Sequence, residues 1–136
     1  MGAGRKGKMG MHLAHKIWLD NGGKAFGEGP YLLLVRVAEM GSLRQAAAEL
    51  DMSYNKAWHV VREMEGRLGF RLLERRVGGP AGGGSHLTPQ ARDLVTRWER
   101  LVREADADMA ELYQRHFGDL FPSANEGAEN GPPLSP

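Results

Sequence analysis

Cysteine is absent from this chain of 136 residues. That excludes disulfide bridges, thiolate metal sites and cysteine nucleophiles, and it leaves the redox compartment open. Long apolar runs are absent too: none approaches the roughly 18–20 residues that a membrane-crossing helix needs. The basic stretch MGAGRKGKMGMHLAHK is followed by no apolar segment, so it is not read as a secretory signal, and a cytoplasmic location without membrane contact is expected. Hydrophobic residues make up 41% and charged residues 26%, ordinary for a globular chain with room for one domain but hardly two.

A strong net charge is also lacking, at +1, but the distribution is uneven. Residues 1–40 carry six Lys/Arg and three Asp/Glu, residues 41–100 carry ten and seven, and residues 101–136 carry two and seven. A basic body with an acidic end fits a polyanionic partner, and equally a randomly charged surface.

Local signals order the chain. Residues 1–14 form a basic tail expected to be disordered. Alternation around Ile17 and Leu19, then Asn21-Gly22-Gly23, predicts a hairpin with strands near 15–20 and 24–27. Pro30 suits a helix start, Leu33, Leu34, Val37 and Ala38 follow at helical spacing, and Gly41 ends the segment. Ser42 starts a short helix with Leu43, Ala46, Ala47 and Leu50 on one side. Ser53 starts a longer one on which Ala57, Val60, Val61, Met64 and Leu68 share a face up to Gly69. FRLLERRV reads as a strand and HLT as its return. Thr88-Pro89 opens a helix over 89–117 whose apolar stripe includes Leu94, Trp98, Leu101, Val102, Ala105, Met109 and Leu112. These seven are the candidate dimerisation residues, because so small a body cannot cover so long a stripe. Residues 119–136 are acidic and proline-rich and are expected to be disordered.

Between the two strands lies VGGPAGGGSHLTPQ, with five glycines from Gly78 to Gly84. Gly79 and Gly84 have the spacing of a phosphate-binding loop, but Ser85 stands where that loop needs lysine. The histidines are too scattered, without cysteine, to suggest a metal site, and no cofactor is expected. Glu63 and Glu65, two apart on one helix, are read as solvated charges rather than an acid–base pair, so no catalytic residue is assigned and the protein is read as a non-enzyme.

Residues 42–65, SLRQAAAELDMSYNKAWHVVREME, carry the function. A short helix, a break too tight for chain reversal and a longer helix form the layout of a helix-turn-helix, with Ala46 and Ala47 permitting close approach. Off its apolar stripe the second helix presents Tyr54, Asn55, Lys56, Trp58, His59 and Arg62 after Ser53, side chains able to donate to bases or phosphates. Trp58 is read either as packing under the following hairpin or as stacking near a nucleic-acid backbone. The basic strand–glycine loop–strand beyond this helix has the order and length of a wing. The fold class is therefore mainly α with small β hairpins (α+β), a winged helix-turn-helix with an N-terminal hairpin and a long C-terminal helix, over residues 15–118.

SLRQAAAELDMSYNKAWHVVREMEGRLGFRLLERR resembles the winged-helix domains of LysR-type and molybdate-responsive (ModE) transcriptional regulators. The paired alanines, Ser53-Tyr54-Asn55-Lys56-Ala57-Trp58, the GG-x-x-GGG run before Leu87-Thr88 and the Lys16–Leu19 hairpin are similar to the second. The resemblance implies sequence-specific binding of double-stranded DNA by a homodimeric bacterial regulator. It places the recognition helix at Ser53–Leu68, and further contacts at Ser42, Arg44, Arg75, Arg76, Gly82, Gly83, Ser85 and His86. Molybdate-responsive sensors bind the oxyanion in a C-terminal module for which the residues after 117 give no room, so molybdate is not expected as a ligand. A winged helix that has lost its basic face and binds a protein is one alternative, supported by the low net charge and the acidic C-terminus; a molybdate-responsive regulator that senses the oxyanion at another site, such as the dimer interface, is the weaker one.

Overall fold

The computed structural model describes residues 10–76 and 84–122, in two compact units, Ile17–Glu99 and Met1–Lys16 with Arg100–Pro136. Most of the two stretches expected to be disordered, and residues 77–83 of the glycine run, lie outside the described residues.

The first unit opens with β1 (Leu19–Asp20) paired antiparallel to β2 (Lys24–Phe26). The first strand is shorter than its sequence pattern predicts. Leu19 and Asp20 are both exposed and the register slips between them, so that alternation has no face to bury. The turn needs its glycines: Gly22 and Gly23 have φ of 70° and 141°, and Gly23 donates its N–H to the Asp20 carboxylate at 3.2 Å.

Helix α1 (Glu28–Met40) starts from Gly27, which holds the N-cap position where the returning strand was expected to end. It buries Tyr31, Leu33, Leu34 and Val37, and Gly41 closes it in the left-handed conformation by donating to the Val37 carbonyl at 2.8 Å. Helix α2 (Leu43–Glu49) is capped by the Ser42 hydroxyl, which accepts from the Gln45 N–H at 3.1 Å. Helix α3 (Tyr54–Leu68) is capped the same way, Ser53 accepting from Lys56 at 3.0 Å. Between α2 and α3 the chain turns through Asp51, whose φ of 58° makes it the non-glycine residue of positive φ among the described residues. The Ala47 carbonyl takes the Met52 N–H at 2.8 Å inside this turn. Aspartate tolerates the left-handed region better than most side chains, hence its use here.

After Gly69, β3 (Leu73–Arg76) and β4 (Gly84–Leu87) pair antiparallel in register, Leu73 opposite Leu87 and Arg76 opposite Gly84. Leu72, Leu73 and Leu87 are buried. Thr88, buried, joins the hairpin to the last helix, α4 (Pro89–Phe117). Its hydroxyl donates to the Arg71 carbonyl at 2.7 Å and accepts from the Ala91 N–H at 3.0 Å, which caps that helix. Within this unit Trp98 and Phe26 meet edge to face with ring centroids 5.3 Å apart at 88°, and the Tyr31 hydroxyl donates to Glu99 at 2.6 Å.

In the second unit His15 lies 3.1 Å from the Asp106 carboxylate. Tyr113, Phe117 and Phe121 succeed one another along the chain with ring separations of 6.1 and 6.3 Å.

Burial first, then the hydrogen bond to Glu99, pushes the Tyr31 phenol up from 10.0 to about 12. The fold thus favours the neutral phenol: its contribution is complete below pH 10.0 and is lost as pH rises through about 12. Tyr31→Phe is expected to cost about 1 kcal/mol at neutral pH and to flatten the alkaline fall in stability, as read by urea unfolding at stepped pH. At the turn, Asp51→Val is expected to cost about 1–2 kcal/mol by the same measurement, and Asp51→Gly to carry no such penalty.

Candidate nucleic-acid interface

Helix α3 is divided lengthwise. Ala57, Val61 and Met64 are buried, so Asn55, Trp58, His59 and Arg62, at i, i+3, i+4 and i+7, share the opposite face and are exposed, with Lys56 beside them. None of the five is acidic. Trp58 keeps 37% of its surface, and the Arg62 guanidinium sits 5.3 Å from its ring centroid. Ser53 spends its hydroxyl on the helix cap, although its side chain remains at the surface.

A cleft beside this helix is lined by Ser42, Arg44, Tyr54, Arg75, Gly84 and Ser85, together with Leu43. It gathers four predicted contact residues from the first helix and the wing, plus Tyr54 from the recognition helix. The Arg44 guanidinium stacks 4.1 Å from the Tyr54 ring centroid, so Tyr54 orients an arginine across the helix-turn-helix. Strand alternation explains why Arg75 and Ser85 reach the cleft: they are opposite each other in the register.

His86, one residue further, faces Glu74 instead, with Nε2 3.1 Å from the carboxylate. It was expected to be available to phosphate; a cross-strand partner already occupies it. Gly82 and Gly83 lie outside the described residues, as does the side chain of Arg76.

The predicted dimerisation residues separate as well. Trp98 and Val102 are 3% and 1% exposed, so the chain's own fold already covers them. Leu101 is exposed, and Leu94, Ala105, Met109 and Leu112 are half-buried.

Glu65 departs most from its reading as a solvated charge. Its side chain is only 11% exposed, and Oε2 accepts from the backbone N–H of Leu72 at 2.8 Å and of Leu73 at 3.4 Å. Arg67 has a similar anchoring role: it donates to the Gly22 carbonyl at 2.7 Å while Asn21 donates to the Arg67 carbonyl at 2.9 Å. A β-carbon at Gly23 would collide with that guanidinium. Both contacts join separate elements of the fold, which local patterns do not reveal.

Three helices, the tight turn through Asp51 and a two-stranded hairpin following the exposed helix define a winged helix-turn-helix domain. Residues 31–92, from Tyr31 in α1 to Arg92 in the first turn of α4, match the domain described as bacterial regulatory helix-turn-helix protein, lysR family. Over 73 residues the chain is 36% identical to the molybdenum transport protein ModE of Herbaspirillum seropedicae, covering 54% of this chain and 27% of that protein. It is 38% identical over 71 residues to the transcriptional regulator ModE of Haemophilus influenzae, covering 52% and 28%. The matches to these curated relatives thus span roughly a quarter of their length. Among solved structures, full-length CbnR complexed with its target DNA superposes with a TM-score of 0.51 at 23% identity, over 67% of this chain and 30% of that one, a likeness of fold.

Proposed function

We propose that this chain is the DNA-binding part of a sequence-specific transcriptional regulator. The observation that carries the reading is the carboxylate-free exposed face of α3, Asn55 to Arg62, beside a cleft that holds two arginines. A helix of this width fits the major groove, and an arginine-lined cleft at its flank suits the phosphates bordering that groove. The regulators among its relatives support the same reading. Exposed and half-buried positions on α4, Leu101, Ala105, Met109 and Leu112, are assigned to a second copy, which would set two half-sites about one helical turn or a multiple apart.

The roles divide by reach. Asn55, on the first turn of α3, is assigned to base readout, Lys56 and Arg44 to phosphates. Selection from a random DNA pool is expected to return a palindromic consensus. No enrichment, and no retention of any duplex at about 50 mM salt, would favour the alternative of a protein-binding winged helix. Lys56→Ala is expected to weaken specific and random duplexes alike and to lower the salt slope by about 1. Asn55→Ala should cost about 1–3 kcal/mol on the selected site alone. Gel-shift titration over a salt series reads both, and altered sequence preference in Lys56→Ala would reverse the assignment.

A further inference from the structure

We infer that Glu65, on the inner side of the recognition helix, is a positioning residue that sets where the wing delivers Arg75. This rests on the DNA-binding reading above and deepens it. Glu65 belongs to α3, yet both of its backbone partners lie beyond that helix: the N–H of Leu72 at 2.8 Å and, at a longer 3.4 Å, that of Leu73, the first residue of β3. A carboxylate accepting from backbone amides at low exposure forms a stronger, more directional bond than a neutral acceptor would. Arg71 approaches the same oxygen at 3.7 Å but is itself 66% exposed, so it adds little.

The route from Glu65 to the cleft is two residues long. Leu73 fixes the strand start, and Arg75 is the next residue on the same side of β3. The same end of the hairpin has a second tie: Thr88 donates its N–H to the Leu72 carbonyl at 3.0 Å and its hydroxyl to the Arg71 carbonyl at 2.7 Å. Thr88 therefore closes the base of the hairpin, while Glu65 ties that base to the helix that reads DNA. Loss of Glu65 leaves the hairpin paired, and still bonded through the Ser85 N–H to the Gly41 carbonyl on its β4 edge, but removes the bonds that hold β3 to α3, and Arg75 is the β3 charge in the cleft whose place depends on them.

A double-mutant cycle tests this, measured on the selected duplex by fluorescence anisotropy with thermal melts alongside. Glu65→Ala is expected to weaken binding about tenfold in the wild-type background, the order of one lost charged contact, and less than about twofold in an Arg75→Ala background. Glu65→Gln, which keeps an acceptor oxygen at the same reach, should retain most of the affinity. Glu65→Asp, one methylene too short, should behave as the alanine variant and carries the cycle if that variant fails to fold. Equal losses in both backgrounds, or no loss in either, overturn the positioning role while leaving DNA binding intact. No binding by the wild type overturns both.

Discussion

The crossing of α2 and α3 is closed by alanine. Ala46, Ala47 and Ala57 are all essentially without exposed surface, and side chains this small at the buried positions let the two helices approach closely. Interiors packed this closely give little, and one added methylene would push the helices apart or distort their rotamers. The direction of α3, and with it every outward side chain from Asn55 to Arg62, depends on that contact and on the turn through Asp51. Ser42 and Ser53 then set where each helix begins, which decides the residues that fall on the outer face.

Around this crossing sit two supports that reach α3 from opposite directions in the sequence. The N-terminal hairpin is bonded to Arg67 near the end of α3, and the wing is bonded to Glu65 one half-turn earlier. The exposed face is left with side chains that bond little to the protein, while the opposite side carries the long-range bonds. A binding surface benefits from that division: groups kept free of internal partners lose none when a ligand arrives, and their scaffold is held by others.

Much of this is legible in the amino-acid sequence. Caps at Ser42, Ser53 and Thr88, stops at Gly41 and Gly69, and the bounds of α4 arise from local chemistry, since each involves residues within four positions of one another. The outer face of α3 is readable for the same reason, being the complement of its apolar stripe. What escapes is tertiary. Glu65 looks like any helix-surface carboxylate until a strand seven residues on supplies amides, and His86 looks free until the register places Glu74 opposite. Trp98 sits on the long stripe with the expected period, but nothing local says that Phe26, seventy-two positions away, would cover it. The first strand is short because alternation alone does not guarantee a neighbour to pair with.

Gly41 ends α1 in a left-handed turn, and its carbonyl also accepts the Ser85 N–H at 3.0 Å. Ser85 lies in β4, opposite Arg75, so this bond points away from β3 and engages the outer edge of a two-stranded sheet. An open edge of that kind is a template on which strands of other molecules can add. Here a helix terminus occupies a rung of that ladder, and the wing is made a poor seed for intermolecular sheet growth by the same residue that stops the first helix.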